Sequence, residues 1–91
     1  MILTTSNAIE GHKIIDYLGI VTGVSSQKQA VFKDNINDSI NASKEAAFQQ
    51  LQANAALLKA NAIIGINVDI ELMEQRYKTV VSVTGTAVKV I

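Results

Sequence analysis

Few side chains in this sequence could bind a metal or take part in acid–base catalysis. The chain has 91 residues, no cysteine and a single histidine, His12. A thiolate metal site, a cysteine nucleophile and a poly-histidine site within one chain are therefore excluded. The residues that could still ligate a metal are one imidazole and four carboxylates. They are Glu10, His12, Asp16, Asp69 and Glu71.

Each of these residues also has an ordinary structural interpretation. His12 follows a turn signal at Glu10-Gly11, where a solvated histidine is expected. Asp69 and Glu71 alternate along a strand pattern and would lie on its polar face, in water. Soft heavy metals prefer thiolate and imidazole ligands, so the sequence favours only an oxygen-rich site or one shared between copies. His12, Asp69 and Glu71 are the candidate metal ligands that we carry forward.

No arrangement of residues predicts an enzyme. Paired carboxylates act as acid and base only where a cleft raises one pKa, and the sequence indicates no cleft. The hydroxyl side chains of the last strand have no histidine at a fixed spacing to activate them. Thr84-Gly85-Thr86 is too short for a phosphate-binding loop. We predict no catalytic residue and no cofactor. An active site shared between subunits, built from some of Asp16, Asp69 and Glu71, is the enzymatic alternative.

Charge and hydropathy argue against two classes of partner. Eight basic residues balance eight acidic residues, so there is no electrostatic footprint for nucleic acid or an anionic membrane. No apolar run approaches the roughly 20 residues that span a bilayer. The start of the chain, Met1 to Thr5, has no basic region and is too short for a signal peptide. We expect a cytoplasmic protein that binds neither nucleic acid nor membrane.

A long helix is predicted between Asn35 and Ala60. Residues with good N-cap propensity place its start between positions 35 and 40, and it should end at Lys59 or Ala60 with Asn61 as the αL C-cap. Its alanine-rich opposite face indicates either simple helix propensity or a surface that contacts another subunit. The apolar residues at helical spacing on its main face are Ile40, Ala47, Phe48, Leu51, Ala55 and Leu58.

Strand patterns flank this helix on both sides. Met73–Arg76 reads as the hairpin loop between the last two strands. In the third strand Ile64 is predicted to share one face with Ile66, Val68, Ile70 and Leu72. The predicted strands are Ile2–Thr5, His12–Thr22, Ile63–Leu72 and Tyr77–Ile91.

The second and fourth predicted strands carry apolar residues on both faces. One helix covers only one face of a sheet, so the other face would need a partner. A domain of 91 residues without disulfides often gains its added stability from partner subunits. On the second strand the two predicted faces are Ile14, Leu18, Ile20 and Ile15, Tyr17, Val21.

The segment between Val24 and Asn37 allows two interpretations. Ser26–Gln29 could form a capping box, in which serine and glutamine satisfy backbone N–H groups at a helix start. It could equally be a polar loop before a short extended piece, Gln29–Phe32.

Four sequence blocks, together with Thr4-Thr5 and Glu10-Gly11, carry a family resemblance. The blocks are Tyr17-Leu18-Gly19-Ile20-Val21-Thr22-Gly23, Ala47-Phe48-Gln49-Gln50-Leu51, the run from Asn61 to Asp69, and the run from Val81 to Val88. In this order they resemble the YbjQ-like family of small bacterial proteins of unknown function, which bears the label "putative heavy-metal-binding domain". The resemblance covers nearly the whole chain as a single domain, residues 1–91.

The resemblance implies a fold and an assembly. The fold is α+β, with one long helix packed on an antiparallel β-sheet, similar to a dodecin subunit. The assembly is an oligomer, a homopentamer whose neighbours are joined by short strands. The family usually has a longer insert after Phe32-Lys33-Asp34, and here only Asn35 to Ala42 remains, which leaves the ring size open.

The function predicted from these observations is that of a non-enzymatic homo-oligomeric binding or scaffold protein. The alternative is binding of a metal or small molecule at subunit interfaces or in a central channel.

Overall fold

In the residues that the structure describes, the fold is one helix packed on a four-stranded sheet. The computed structural model describes residues 1–28, 36–73 and 78–91, with the side chains of residues 1–26, 40–72 and 78–91. Within these residues the elements are β1 Ile2–Leu3, β2 Ile14–Lys28, α1 Ile36–Leu57, β3 Ala62–Met73 and β4 Lys78–Val90. The helix begins within the predicted interval, and the α+β class is confirmed.

The sheet is mixed, which corrects the prediction of an antiparallel sheet. Its strand order is β1-β3-β4-β2, with β4 antiparallel to both of its neighbours. The two-residue β1 instead pairs parallel to β3, with Ile2 opposite Ala62. A parallel neighbour needs a long connection along the chain, and the whole of β2 and α1 lies between these two strands.

The helix packs on one face of the sheet, which we call the inner face. It contacts mainly β2 and β4 and touches β3 little. Close approach depends on Gly23, because a Cβ there would clash with the carbonyl oxygen of Ala47 and lie 2.8 Å from the amide nitrogen of Leu51. The buried core that results is Val21, Ala47, Leu51, Ala55, Ile63, Ile66, Val81, Val83 and Ala87.

A second, smaller core lies on the outer face, the side of the sheet turned away from α1. Residues of the loop between β1 and β2 help to cover it, Ile9 among them. This loop turns at Ile9–His12, where the His12 N–H donates to the Ile9 carbonyl at 3.1 Å and Gly11 has a φ of 81°. The turn predicted at Glu10-Gly11 is therefore present. The buried residues of this core are Ala62, Ile64, Val88 and Val90.

A β-bulge changes the faces of β3. The pairing with β4 shifts between Ile64 and Asn67, and Gly65 has a φ of 58°, the αL conformation that glycine bulges use. Because the bulge adds one residue, Ile64 faces outward while Ile66, Val68 and Ile70 face inward. The prediction that Ile64 shares a face with Ile66 is wrong for this reason.

Two register shifts change the faces of β2 as well. They lie between Ile14 and Asp16 and between Tyr17 and Gly19. Tyr17 therefore pairs with Val88 on the outer face, together with Ile14 and Ile20, whereas Leu18 and Val21 face the helix. The predicted grouping of Ile14, Leu18 and Ile20 is wrong.

The ends of β2 and β3 also differ from the predicted bounds. β2 continues to Lys28, with Ser26 opposite Val80, so both interpretations of Ser26–Gln29 are wrong over residues 26–28. The predicted extended piece at 29–32 lies outside the described residues. Met73 belongs to β3 rather than to the hairpin loop, and the rest of that loop lies outside the described residues.

The helix ends in a Schellman motif at a residue that the sequence did not indicate. The N–H of Ala60 bonds to the Ala55 carbonyl at 3.2 Å and that of Lys59 to the Ala56 carbonyl at 2.9 Å, the two bonds of that motif. Lys59, not Asn61, takes the left-handed conformation, with a φ of 63°. The Asn61 side chain instead exchanges two hydrogen bonds of 2.8 Å with the Val90 backbone.

We predict that Gly23→Ala lowers the free energy of unfolding by about 3 kcal/mol, because the added methyl group meets helix backbone that cannot move separately. Gly11→Ala is the matched control, since nothing lies within 4 Å of a Cβ there and only its positive φ is penalised, by about 1 kcal/mol. Urea unfolding at one fixed protein concentration measures both. Equal losses would contradict the packing role of Gly23.

We predict that Lys59→Gly raises the free energy of unfolding by about 0.5–1 kcal/mol, because glycine adopts a positive φ without steric cost. Ala56→Gly, placed on the exposed part of the same helix end, should lower it by a similar amount through lost helix propensity. Thermal unfolding of both variants provides the comparison. A destabilised Lys59→Gly variant would argue against this description of the helix end.

Candidate functional site

The structure separates the predicted metal ligands. His12 is exposed at the end of the turn before β2. Asp69 pairs with Ser82 of β4, and Ser82 pairs with Val24 of β2. Val24 is near the far end of β2, whereas His12 precedes its first residue. At about 3.3 Å per residue this places His12 about 30 Å from Asp69. One chain therefore does not bring its imidazole to its strand carboxylates.

Asp69 and Glu71 do lie together. Both are exposed on the outer face of β3, opposite Ser82 and Val80 of β4. Two residues apart on the same side of a strand, they are about 7 Å apart along the backbone. Neither joins a larger set: no group of three or more His, Cys, Asp and Glu residues in the described part of the chain is arranged to hold a metal ion.

The remaining carboxylates named from the sequence lie elsewhere. Glu10 is exposed in the turn of the outer-face loop. Asp16 lies near the start of β2, where its cross-strand neighbour is Lys89. The shared active site built from Asp16, Asp69 and Glu71 therefore has no counterpart within one chain, because Asp16 belongs to the opposite end of the sheet.

The outer edge of β2 is closed by helix side chains, a feature that the sequence reasoning missed. The Val24 N–H donates to Oε1 of Gln50 at 2.6 Å, and Nδ2 of Asn54 donates to the Thr22 carbonyl at 2.8 Å. Gln50 and Asn54 are one helical turn apart, so both reach the same stretch of strand. The uncharged amides of the helix thus satisfy backbone groups that an added strand would otherwise bind.

The outer edge of β3 is open over most of its length. β1 and the residues after it bond to β3 only as far as Ile66, whose N–H donates to the Thr4 carbonyl at 3.1 Å. From Asn67 to Met73 the strand pairs with β4 on one side and, among the described residues, with no strand on the other. We call residues 67–73 the open edge.

The open edge also carries exposed apolar side chains. Val68, Ile70 and Leu72 lie opposite Val83, Val81 and Thr79 on the inner face, and α1 contacts β3 little. Their exposed fractions are 36%, 41% and 48%. Exposed apolar groups that cluster beside unpaired backbone are typical of a binding surface. The alternation from Val68 to Leu72 was visible in the sequence, but the exposure of these side chains on the inner face was not.

The fold and this site define a class of small α+β domain with one helix, a mixed sheet and an exposed strand edge. The family described as "putative heavy-metal-binding" matches residues 1–91, the whole chain. The chain belongs to this family, the YbjQ-like proteins, and the resemblance found in the sequence is confirmed.

A solved structure has the same fold. The crystal structure of a protein of unknown function from Pediococcus pentosaceus ATCC 25745, a member of the DUF74 family, is similar to this chain with a TM-score of 0.79 and 26% sequence identity. The match covers 100% of this chain and 98% of that one. Residues 1–28, 36–73 and 78–91 contain no helix with the length and hydropathy of a membrane span.

We predict that His12→Ala leaves the binding of zinc and cadmium ions unchanged, because no group of three or more possible ligands in the described part of the chain is arranged to hold a metal ion. Isothermal titration of both proteins with each metal alone measures this, with Lys13→Ala as a control for a neighbouring exposed side chain. A heat of binding that disappears only in the His12 variant would show that His12 is a ligand.

Proposed function

We propose that this protein is a non-enzymatic, self-assembling binding or scaffold protein whose partner is further copies of itself. The observation that carries the proposal is the open edge of β3, where unpaired backbone and exposed apolar side chains occur together. An edge of this kind is a template for another strand. A second copy that covered Val68, Ile70 and Leu72 would gain about 1 kcal/mol from each half-exposed side chain.

The dimensions of the chain support the same proposal. Its radius of gyration is 14.9 Å and its principal extents are 47, 23 and 15 Å, whereas a compact domain of this length has a radius of gyration of about 12 Å. An elongated chain leaves a larger share of its surface in water. The exposed large apolar residues are Met1, Ile15, Tyr17, Ile20, Val24, Leu57, Leu58, Val68, Ile70, Leu72 and Ile91.

The number of copies rests on the family resemblance alone. That resemblance implies a ring of five subunits. The shortened segment from Asn35 to Ala42 lies where family members usually carry a longer insert, so a contact made by that insert would be lost here. Five copies is therefore the assembly we propose, and its mass is open to direct measurement.

A metal shared between copies is the second candidate function, and the family description names metals. The specific observation in its favour is that Asp69 and Glu71 both belong to the open edge and are exposed there. A copy docked at that edge would bring its own side chains beside these two carboxylates, which alone are too few to hold an ion. Such a site would be rich in oxygen, so it would lose metal in Asp69→Asn and keep it in His12→Ala.

We predict that light scattering coupled to gel filtration gives a mass several times that of the 9.8 kDa chain at micromolar concentration, with about five copies as the expected assembly. Self-association buries apolar surface that the single chain exposes. A predominant species of one chain under the same conditions would refute the proposal. Repeating the measurement with a chelator present distinguishes metal-dependent assembly from assembly through the protein surface alone.

A further inference from the structure

We infer that α1 and β4 enclose a binding site for a buried water molecule, formed by the hydroxyl groups of Ser43 and Thr79. Both residues are fully buried, and neither hydroxyl oxygen has a hydrogen-bond partner among the described residues. A buried hydroxyl without a partner costs free energy, and a buried water molecule commonly bonds to such groups. The inference does not depend on self-assembly, because both hydroxyls are buried within one chain.

The contacts of the helix show where Ser43 lies along the sheet. Gly23 lies against the helix backbone at Ala47. Later helix residues bond to earlier residues of β2, so α1 and β2 run antiparallel. Ser43 precedes Ala47 by one helical turn, which is about 6 Å. Ser43 is therefore level with Ser25, which follows Gly23 by two residues, or about 7 Å.

The strand pairing places Thr79 at the same end of the interface. Ser25 pairs with Val81 of β4, and Thr79 lies on the same face of β4 about 7 Å before Val81. The Cα–Cβ bond of a helical residue tilts towards the helix N-terminus, which is here the direction from Val81 to Thr79. A water molecule with two hydrogen bonds of about 2.8 Å joins oxygens up to about 5.6 Å apart, a span comparable to this spacing.

Polar side chains are confined to this end of the helix–sheet interface. Among the described residues, Ser43 and Thr79 are the only buried polar side chains. Ser25 shares the inner face with Gly23 and is partly buried, so it brings a third hydroxyl to the same level. A buried water molecule usually has about three polar partners. Bound here, it would link the first half of α1 to β4 by hydrogen bonds, whereas apolar packing holds the helix further along.

The chemistry of the site favours a neutral ligand of the size of water. No charged side chain is buried among the described residues, so an ion would lose its hydration without gaining a counter-charge. Hydroxyl groups both donate and accept hydrogen bonds, and water does the same. A larger ligand would have to separate α1 from β2, whose backbones are in close contact at Gly23.

The test is a double-mutant cycle with Ser43→Ala and Thr79→Val, which remove the hydroxyls at little change in volume. In urea titrations at one protein concentration, each variant should raise the equilibrium constant for unfolding by about threefold or more, because hydrogen bonds to the water are lost. The double variant should be about as unstable as either single variant, because one substitution already releases the water.

Two control variants separate this effect from local propensity. Ala46→Ser, on the same helix, measures the difference in helix propensity between serine and alanine, which is then subtracted from the Ser43 result. Thr84→Val, at an exposed position of β4, should leave the unfolding constant nearly unchanged, because threonine and valine both favour strands.

Deuterium magnetic relaxation dispersion of the solvent provides a second readout, since it detects water molecules that stay in a folded protein for longer than its tumbling time. The wild type should hold about one more such molecule per chain than Ser43→Ala or Thr79→Val. Thr79→Ser keeps the hydroxyl and should retain it.

Three results would overturn the inference. The first is that both single variants are more stable than the wild type after the propensity correction, as expected if the hydroxyls have no partner at all. The second is that the losses of the single variants add in the double variant. The third is a relaxation dispersion that is the same in the wild type and in all variants.

Discussion

The structure depends on the contact between one helix and a sheet that is longer than the helix. α1 has 22 residues, which corresponds to about 33 Å, and the chain extends over 47 Å. Contact is close because Gly23 lets the backbone of β2 meet the helix backbone near Ala47. The same contact fixes where the helix lies, over β2 and β4, and so determines which part of the sheet remains uncovered.

The two regions of the sheet that α1 does not cover well differ in whether another part of the chain packs on them. At one end of the outer face the loop after β1 covers Ile64 and Val88. Towards the other end, the inner side of β3 carries Val68 and Ile70, which stay partly exposed, and α1 contacts β3 little. The solved relative has the same fold and is of unknown function, and the family description names heavy metals but no residue that would bind them. Function is therefore argued from the surface that the helix leaves free.

The sequence predicted the elements better than it predicted their faces. The fourth strand carries apolar residues on both faces, as predicted, because no bulge interrupts the side-chain period there: Val81 and Val83 face inward, and Val88 and Val90 face outward. On β3 the period is interrupted at Gly65, and a residue pattern does not show whether a glycine continues a strand or forms a bulge.

The sequence also misplaced roles that depend on tertiary contacts. Asparagine is a common residue at helix C-caps, but the side-chain amide of Asn61 forms two hydrogen bonds with the Val90 backbone. Lys59 instead adopts the left-handed conformation at the helix end. The candidate ligands were chosen by residue type, and a sequence does not show that His12 and Asp69 lie at opposite ends of the sheet. The open edge was hidden for the same reason, because pairing partners of a strand are distant in the chain.

The central claim is that copies of this chain cover apolar surface that one helix leaves exposed. If so, folding is linked to association, and stability increases with protein concentration. The direct measurement is the urea midpoint of unfolding at about 1 μM and about 100 μM chain, under otherwise identical conditions. The account predicts a clearly higher midpoint at the higher concentration. An unfolding midpoint that is the same at both concentrations, together with full refolding, would contradict it.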